Sequence, residues 1–173
     1  MKETAQQYTQ RILGNVSGKD ALKVQKSTAK RLSKLIKPLK KKDLKRRPDT
    51  DQWSIAEILA HLADAELVAG WRLRSILTSD GTPIQPFDQD SWAATFRYDK
   101  RDAHESLRTF KVLRESNLSL LKSVPESLWK NHGMHAERGK ETVAHMVQLY
   151  AGHDINHVKQ VEQAVNGNRK KKK

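Results

Sequence analysis

The chain contains no cysteine, so it forms neither disulfides nor thiolate metal sites, and any metal it holds must rest on nitrogen and oxygen. Proline and glycine are scarce, five and eight in 173 residues, which leaves few breakers to interrupt long helices. No stretch approaches the roughly 18 consecutive apolar residues of a spanning helix. Met1-Lys2-Glu3-Thr4 leads into polar sequence rather than a signal-type hydrophobic segment. These absences predict one helical domain in the cytoplasm, with no membrane association.

Acidic residues are also in short supply, 20 against 33 lysines and arginines, for a net charge of +13. Most of the excess lies between Lys23 and Arg47, where Asp43 is the one acid, and the remainder is largely the tail Arg169 to Lys173. Such clusters attract phosphate by counterion release, and nonspecific polyanion binding is an expectation. Base-specific recognition is not, because the segment has no interleaved aromatics and no groove-reading motif. The competing reading is a solvated helix face and a solubilising tail.

Taken in order, residues 3–13 predict a short helix ended by Gly14, followed by a turn at Asn15-Val16-Ser17-Gly18, so that 1–17 form an N-terminal appendage. A helix from about Lys19 to Lys37 stops before Pro38. Ser54 and Glu57 have the spacing of a capping box, with Trp53 placed for a hydrophobic staple. The helix they open buries Ile55, Ile58, Leu59, Leu62, Ala65, Ala69, Leu73 and Ile76. Asp80-Gly81, Pro83 and Pro86 make Thr78 to Ser91 a long crossover. A helix from about Lys100 to Ser123, a turn at Pro125 to Trp129, a loop from Asn131 to Gly139 and a last helix from near Glu141 to Asn166-Gly167 complete the chain. The expected fold is all-α, a four-helix bundle over 18–166 with its long connection between the second and third bundle helices, and a basic disordered tail over 167–173.

The candidate chemistry lies in that last helix. Val143, Met146, Val147, Tyr150, Val161 and Ala164 mark its apolar face, and His153 and His157 fall in the same stripe. A spacing of four places their imidazoles on adjacent turns, close enough to share a metal ion. A protein-bound zinc usually takes three or four ligands, so a third must come from elsewhere. His61, within the buried face of the helix opened by Ser54, is the imidazole that fits. The bland alternative is a set of satisfied core histidines. The pair also resembles the zincin pattern H-E-x-x-H, but Asp154 stands where the glutamate base would be and has a shorter reach, which disfavours a metallopeptidase. Asp64, one turn beyond His61, is either an acceptor that fixes a ligand tautomer or an exposed acid.

Trp53-Ser54-Ile55-Ala56-Glu57-Ile58-Leu59-Ala60-His61-Leu62, Pro86-Phe87-Asp88-Gln89-Asp90-Ser91-Trp92, Gly133-Met134-His135-Ala136-Glu137-Arg138-Gly139 and His153-Asp154-Ile155-Asn156-His157-Val158-Lys159-Gln160 together resemble the DinB-like family of metalloenzymes, over roughly residues 18–165. The resemblance implies up-down-down-up connectivity and a divalent transition metal, zinc or nickel foremost, held by His61, His153 and His157. It makes His135 and Gln160 candidates for substrate contact or for support of the ligands, against their reading as a loop hydrogen-bonder and a helix-surface residue. It further implies a small-molecule substrate, a low-molecular-weight thiol cosubstrate in some relatives, and a homodimer. The expected function is therefore a three-histidine, metal-dependent enzyme, either a thiol-dependent S-transferase or a hydrolase. Its rivals are a basic helical protein that binds nucleic acid or another polyanion, and a bundle whose metal is structural. His145 is expected in a packing or surface role, and His104 and His132 carry no spacing argument for chemistry.

Overall fold

The computed structural model describes residues 3–170. Its helices are α1 (Ala5–Val16), α2 (Ala21–Ile36), α3 (Lys41–Lys45), α4 (Ile55–Thr78), α5 (Gln89–Thr95), α6 (Ala103–Ser123) and α7 (Val143–Lys170). Three short strands, β1 (Thr82–Ile84), β2 (His132–His135) and β3 (Gly139–Thr142), form one sheet. The helix starts follow local chemistry. Asp20, Ser54, Asp88 and Asp102 each accept hydrogen bonds from the free N–H groups of the first turn, and Ser54 and Glu57 complete the expected capping box.

The bundle is built from α2, α4, α6 and α7. Gln25 reaches Val147 and Arg31 reaches Glu162, so α2 and α7 run parallel. Asp64 meets Arg101, two residues ahead of α6, and Arg74 meets Ser116 farther along it, so α4 and α6 also run parallel. His61 meets His153 while Arg72 meets Tyr150, which sets α4 antiparallel to α7. The connectivity is up-down-down-up, as expected, and the segment between α4 and α6 carries the chain back along the bundle. The described residues include no helix long and apolar enough to cross a membrane.

Several local features differ from the sequence reading. Gly14 does not stop α1; the chain turns at Gly18, where φ is 72°. The loop expected over 131–139 contains β2, which pairs antiparallel with β3 across a turn ending at Gly139 (φ 75°) and parallel with β1. Backbone pairing between distant segments has no helical period to announce it. At the other end, α7 continues past Gly167 through Lys170, and residues 171–173 of the expected tail lie outside the described residues.

The core divides into two apolar layers. One packs Leu32, Ile55, Leu59, Phe110 and Val161; the other packs Leu73, Ile76, Leu121, Val143 and Met146. Between them each bundle helix turns a buried polar residue inward: Gln25 on α2, Glu66 on α4, Arg114 and Asn117 on α6, Asp154 on α7. Arg114 donates to both oxygens of Asp154 at 2.5 and 3.0 Å and to Glu66 at 2.8 Å, and Asn117 donates to Glu66 at 2.8 Å. Buried charge is tolerated where it is paired in this way. The histidines lie in the same polar belt.

Candidate metal centre

His61 occupies the second turn of α4, and His153 and His157 occupy successive turns of α7, where the two helices face each other. Their Nε2 atoms converge. His61 Nε2 lies 3.0 Å from His153 Nε2, and His157 Nε2 lies 3.1 Å from the same atom. One ligand atom from each histidine falls within 4.8 Å of the others, and all three side chains are buried. Trp53, just before the α4 cap, sets its ring 5.1 Å from that of His61 and closes one side.

Burial holds His61 and His153 well below the ordinary imidazole range, with the neighbouring histidines adding to the effect. Burial likewise lowers His157 to about 4, against a partial opposing influence from Gln160. The three rings are therefore neutral near pH 7, as metal ligation requires. Gln160 Oε1 accepts from His157 Nδ1 at 2.7 Å, which leaves a lone pair on His157 Nε2 directed at the cluster. A proton on His153 Nε2 can satisfy one neighbouring lone pair but not two. A cation satisfies all three nitrogens together, and tetrahedral zinc–nitrogen bonds of about 2.0–2.1 Å hold ligand nitrogens a little over 3 Å apart. The residues present fit a metal ion.

The depressed values have a consequence for the metal-free protein. Above pH 6.5 His157 is neutral in both the folded and the unfolded chain. As pH falls from 6.5 toward 4 the unfolded chain takes up a proton that the folded chain refuses, so stability declines. For His157 the loss is complete below about pH 4 and amounts to on the order of 3 kcal/mol. Denaturant midpoints of chelator-treated protein between pH 7 and pH 4.5 should fall accordingly, and His157→Gln should flatten the decline. An equal slope in the variant would show that other groups carry it.

The remaining candidates separate. Gln160 meets His157 Nδ1 rather than standing free on the helix surface. Asp64 does not touch a ring nitrogen. It accepts from Tyr98 Oη at 2.7 Å and pairs with Arg101 at 3.3 Å, because the returning crossover brings Tyr98 over that side of α4. Asp154, beside His153 in sequence, is turned away to Arg114 and offers no base. His135 is buried on β2, in the wall of a cavity of about 200 Å³ that His61 and His153 also line. His145 is half-buried in the first turn of α7, His104 is exposed, and His132 pairs with Asp80.

Sequence reasoning missed Tyr8, Arg72 and Arg138, which line the same cavity. Tyr8 also borders a second cavity of about 670 Å³, on the Trp53, His157 and Gln160 side, so α1 roofs the histidine cluster rather than standing apart from it. A single tyrosine on a short terminal helix gives no sequence signal for this. The lysines of α2 instead line a groove against α6 whose walls share no residue with these two cavities, so the basic segment and the histidines are separate features.

The model of the family described as the DinB superfamily matches residues 26–161. "Putative metal-dependent hydrolase OB0413" of Oceanobacillus iheyensis is 25% identical over 139 residues, 80% of this chain and 79% of that protein. "Putative metal-dependent hydrolase OB0782" of the same organism is 26% identical over 106 residues, and the match spans 61% of each chain. Among solved structures, YfiT from Bacillus subtilis, described as "a probable metal-dependent hydrolase with an unusual four-helix bundle topology", superposes with a TM-score of 0.75 at 18% identity, over 94% of this chain and 89% of that one.

Proposed function

This chain belongs to the DinB superfamily, and from that premise we propose that it is a divalent-metal-dependent hydrolase acting on a small molecule, with His61, His153 and His157 as the protein ligands. The observation that carries the reading is the convergence of three buried, neutral Nε2 atoms from two helices. The hydrolase assignment draws support from the names of the relatives. A bound divalent cation supplies Lewis acidity, which makes water or a thiol nucleophilic near neutral pH.

The chain's own residues supply the setting. The three imidazoles add no charge, so the full charge of a bound ion is available, and three ligands are the number used by catalytic rather than structural zinc sites. Gln160 fixes the tautomer and rotation of His157. Trp53 and Tyr8 restrict water around the cluster while the two cavities give access from either side. Thiol transfer would use the same ligands, with the sulfur brought by a cosubstrate, since the chain has no cysteine.

Elemental analysis of the purified protein is expected to find about one divalent transition metal per chain. His61→Ala and His157→Ala should each abolish stoichiometric loading, whereas Gln160→Ala should weaken it by roughly 10–100-fold, the usual cost of losing an outer partner. Unchanged loading in both histidine variants would end the proposal. Turnover of ester or amide substrates without added thiol supports hydrolysis; turnover only with added thiol assigns transfer.

A further inference from the structure

We propose that the cavity of about 200 Å³ beside the histidines is a carboxylate-binding subsite, in which Arg72 and His135 hold the anionic end of a small substrate. This deepens the metal-enzyme reading and rests on it for the claim that the bound anion is a substrate.

Arg72 carries the charge. It is 6% exposed, on α4, and lines the cavity together with His61 and His153. Its guanidinium donates to the carbonyl of Gln85 and, at 3.5 Å, to Tyr150 Oη, and stands 5.9 Å from the ring centre of Phe87. Among the described residues no carboxylate pairs with it. The other buried arginine of the bundle, Arg114, has two such partners, and the neighbouring Arg138 is committed to Glu141 at 2.6 and 3.0 Å. Glu137 also borders the cavity but is exposed and forms no ion pair with Arg72. A buried charge without a counter-ion is costly, so its retention points to a ligand that supplies one.

His135 provides the second observation. The backbone N–H of Glu137 donates to His135 Nδ1 at 3.2 Å, so Nδ1 is the acceptor and the proton resides on Nε2. That Nε2–H is buried and has no acceptor. Two elements thus bring to one cavity a planar cation without a counter-ion and a neutral N–H donor without an acceptor. A carboxylate matches the guanidinium fork and carries a single charge. The cavity is smaller than the roughly 300–1,000 Å³ of drug-sized sites, which limits the substrate to a compact acid. Anchored at Arg72, the rest of such a molecule extends toward His61 and His153 in the same space.

The test titrates propionate and, separately, propionamide into the full chain, metal-free and zinc-loaded, and follows the His135 side-chain resonances by NMR. Propionate should shift them saturably in both forms, and propionamide should not. Arg72→Met should weaken propionate binding at least about tenfold, the effect of losing a charged hydrogen-bond donor. His135→Gln, which retains a donor, should weaken it less than His135→Phe. Equal responses to acid and amide, or propionate binding unchanged in Arg72→Met, would overturn the proposal. So would a site that takes inorganic phosphate and ignores propionate. Should Arg72→Met fail to fold, the acid–amide comparison on the unaltered chain and the His135 pair decide the outcome. Zinc loading without propionate binding defeats this subsite alone; propionate binding without metal loading defeats the metal-centre reading and with it the substrate claim.

Discussion

Arg114→Met is expected to destabilise the protein by about 3–5 kcal/mol, the range for breaking a buried ion pair from one side. Arg114 is 3% exposed and stands between Asp154 (1%) and Glu66 (3%), so methionine fills much of its volume but leaves two carboxylates in the core without their cation. The cost lies in the stranded charges rather than in lost attraction. Adding Glu66→Gln and Asp154→Asn to the same protein should therefore recover most of the stability. Equilibrium denaturation of the single and triple variants checks this. A triple variant as weak as the single one would place the loss in side-chain packing.

Gly152→Ala should also destabilise, by on the order of 3 kcal/mol, the upper end of ordinary overpacking. Glycine to alanine inside a helix normally gains up to about 1 kcal/mol, so the sign itself is diagnostic. A Cβ at position 152 would lie 2.0 Å from the carbonyl oxygen of Ile12 and 2.8 Å from its carbonyl carbon. Those are backbone atoms and cannot rotate aside, so α1 as a whole must lift from α7. Hydrogen exchange should then show protection lost over Ala5–Val16 while α4 and α6 keep theirs. Retained protection in α1 together with increased stability would show that the helices can separate without penalty.

How far the site could be read from sequence depends on whether its geometry is local. The four-residue spacing of His153 and His157 fixes their shared face through the helical period alone, and His61 falls in an apolar stripe for the same reason. Ser54 and Glu57 announce the start of α4 because a capping box involves only neighbours. Asp64 shows the limit. Periodicity assigns it a side of α4, but Tyr98 arrives on that side through the crossover, 34 residues away. Arg114 and Asn117 look like solvent-facing polar positions until Glu66 and Asp154, on two other helices, are seen to meet them. Tyr8 and Arg72 were invisible in the same way, since a residue's place in a cavity depends on which elements close it. The fold class was legible, the faces that carry the three histidines were legible, and the partners across helices were not.

His61 and His153 are separated by 92 positions along the chain, and the helices that bear them are joined by the crossover, α6 and the small sheet. No short hairpin unites the two sides of the cluster. The early, local events of folding thus have nothing to offer a cation beyond the His153–His157 pair, and the full set of nitrogens exists only after α4 and α7 have docked. In kinetic terms an ion held there would be a latch fitted at the end of assembly: it would act on the rate at which the finished molecule comes apart and leave the rate of its formation to topology.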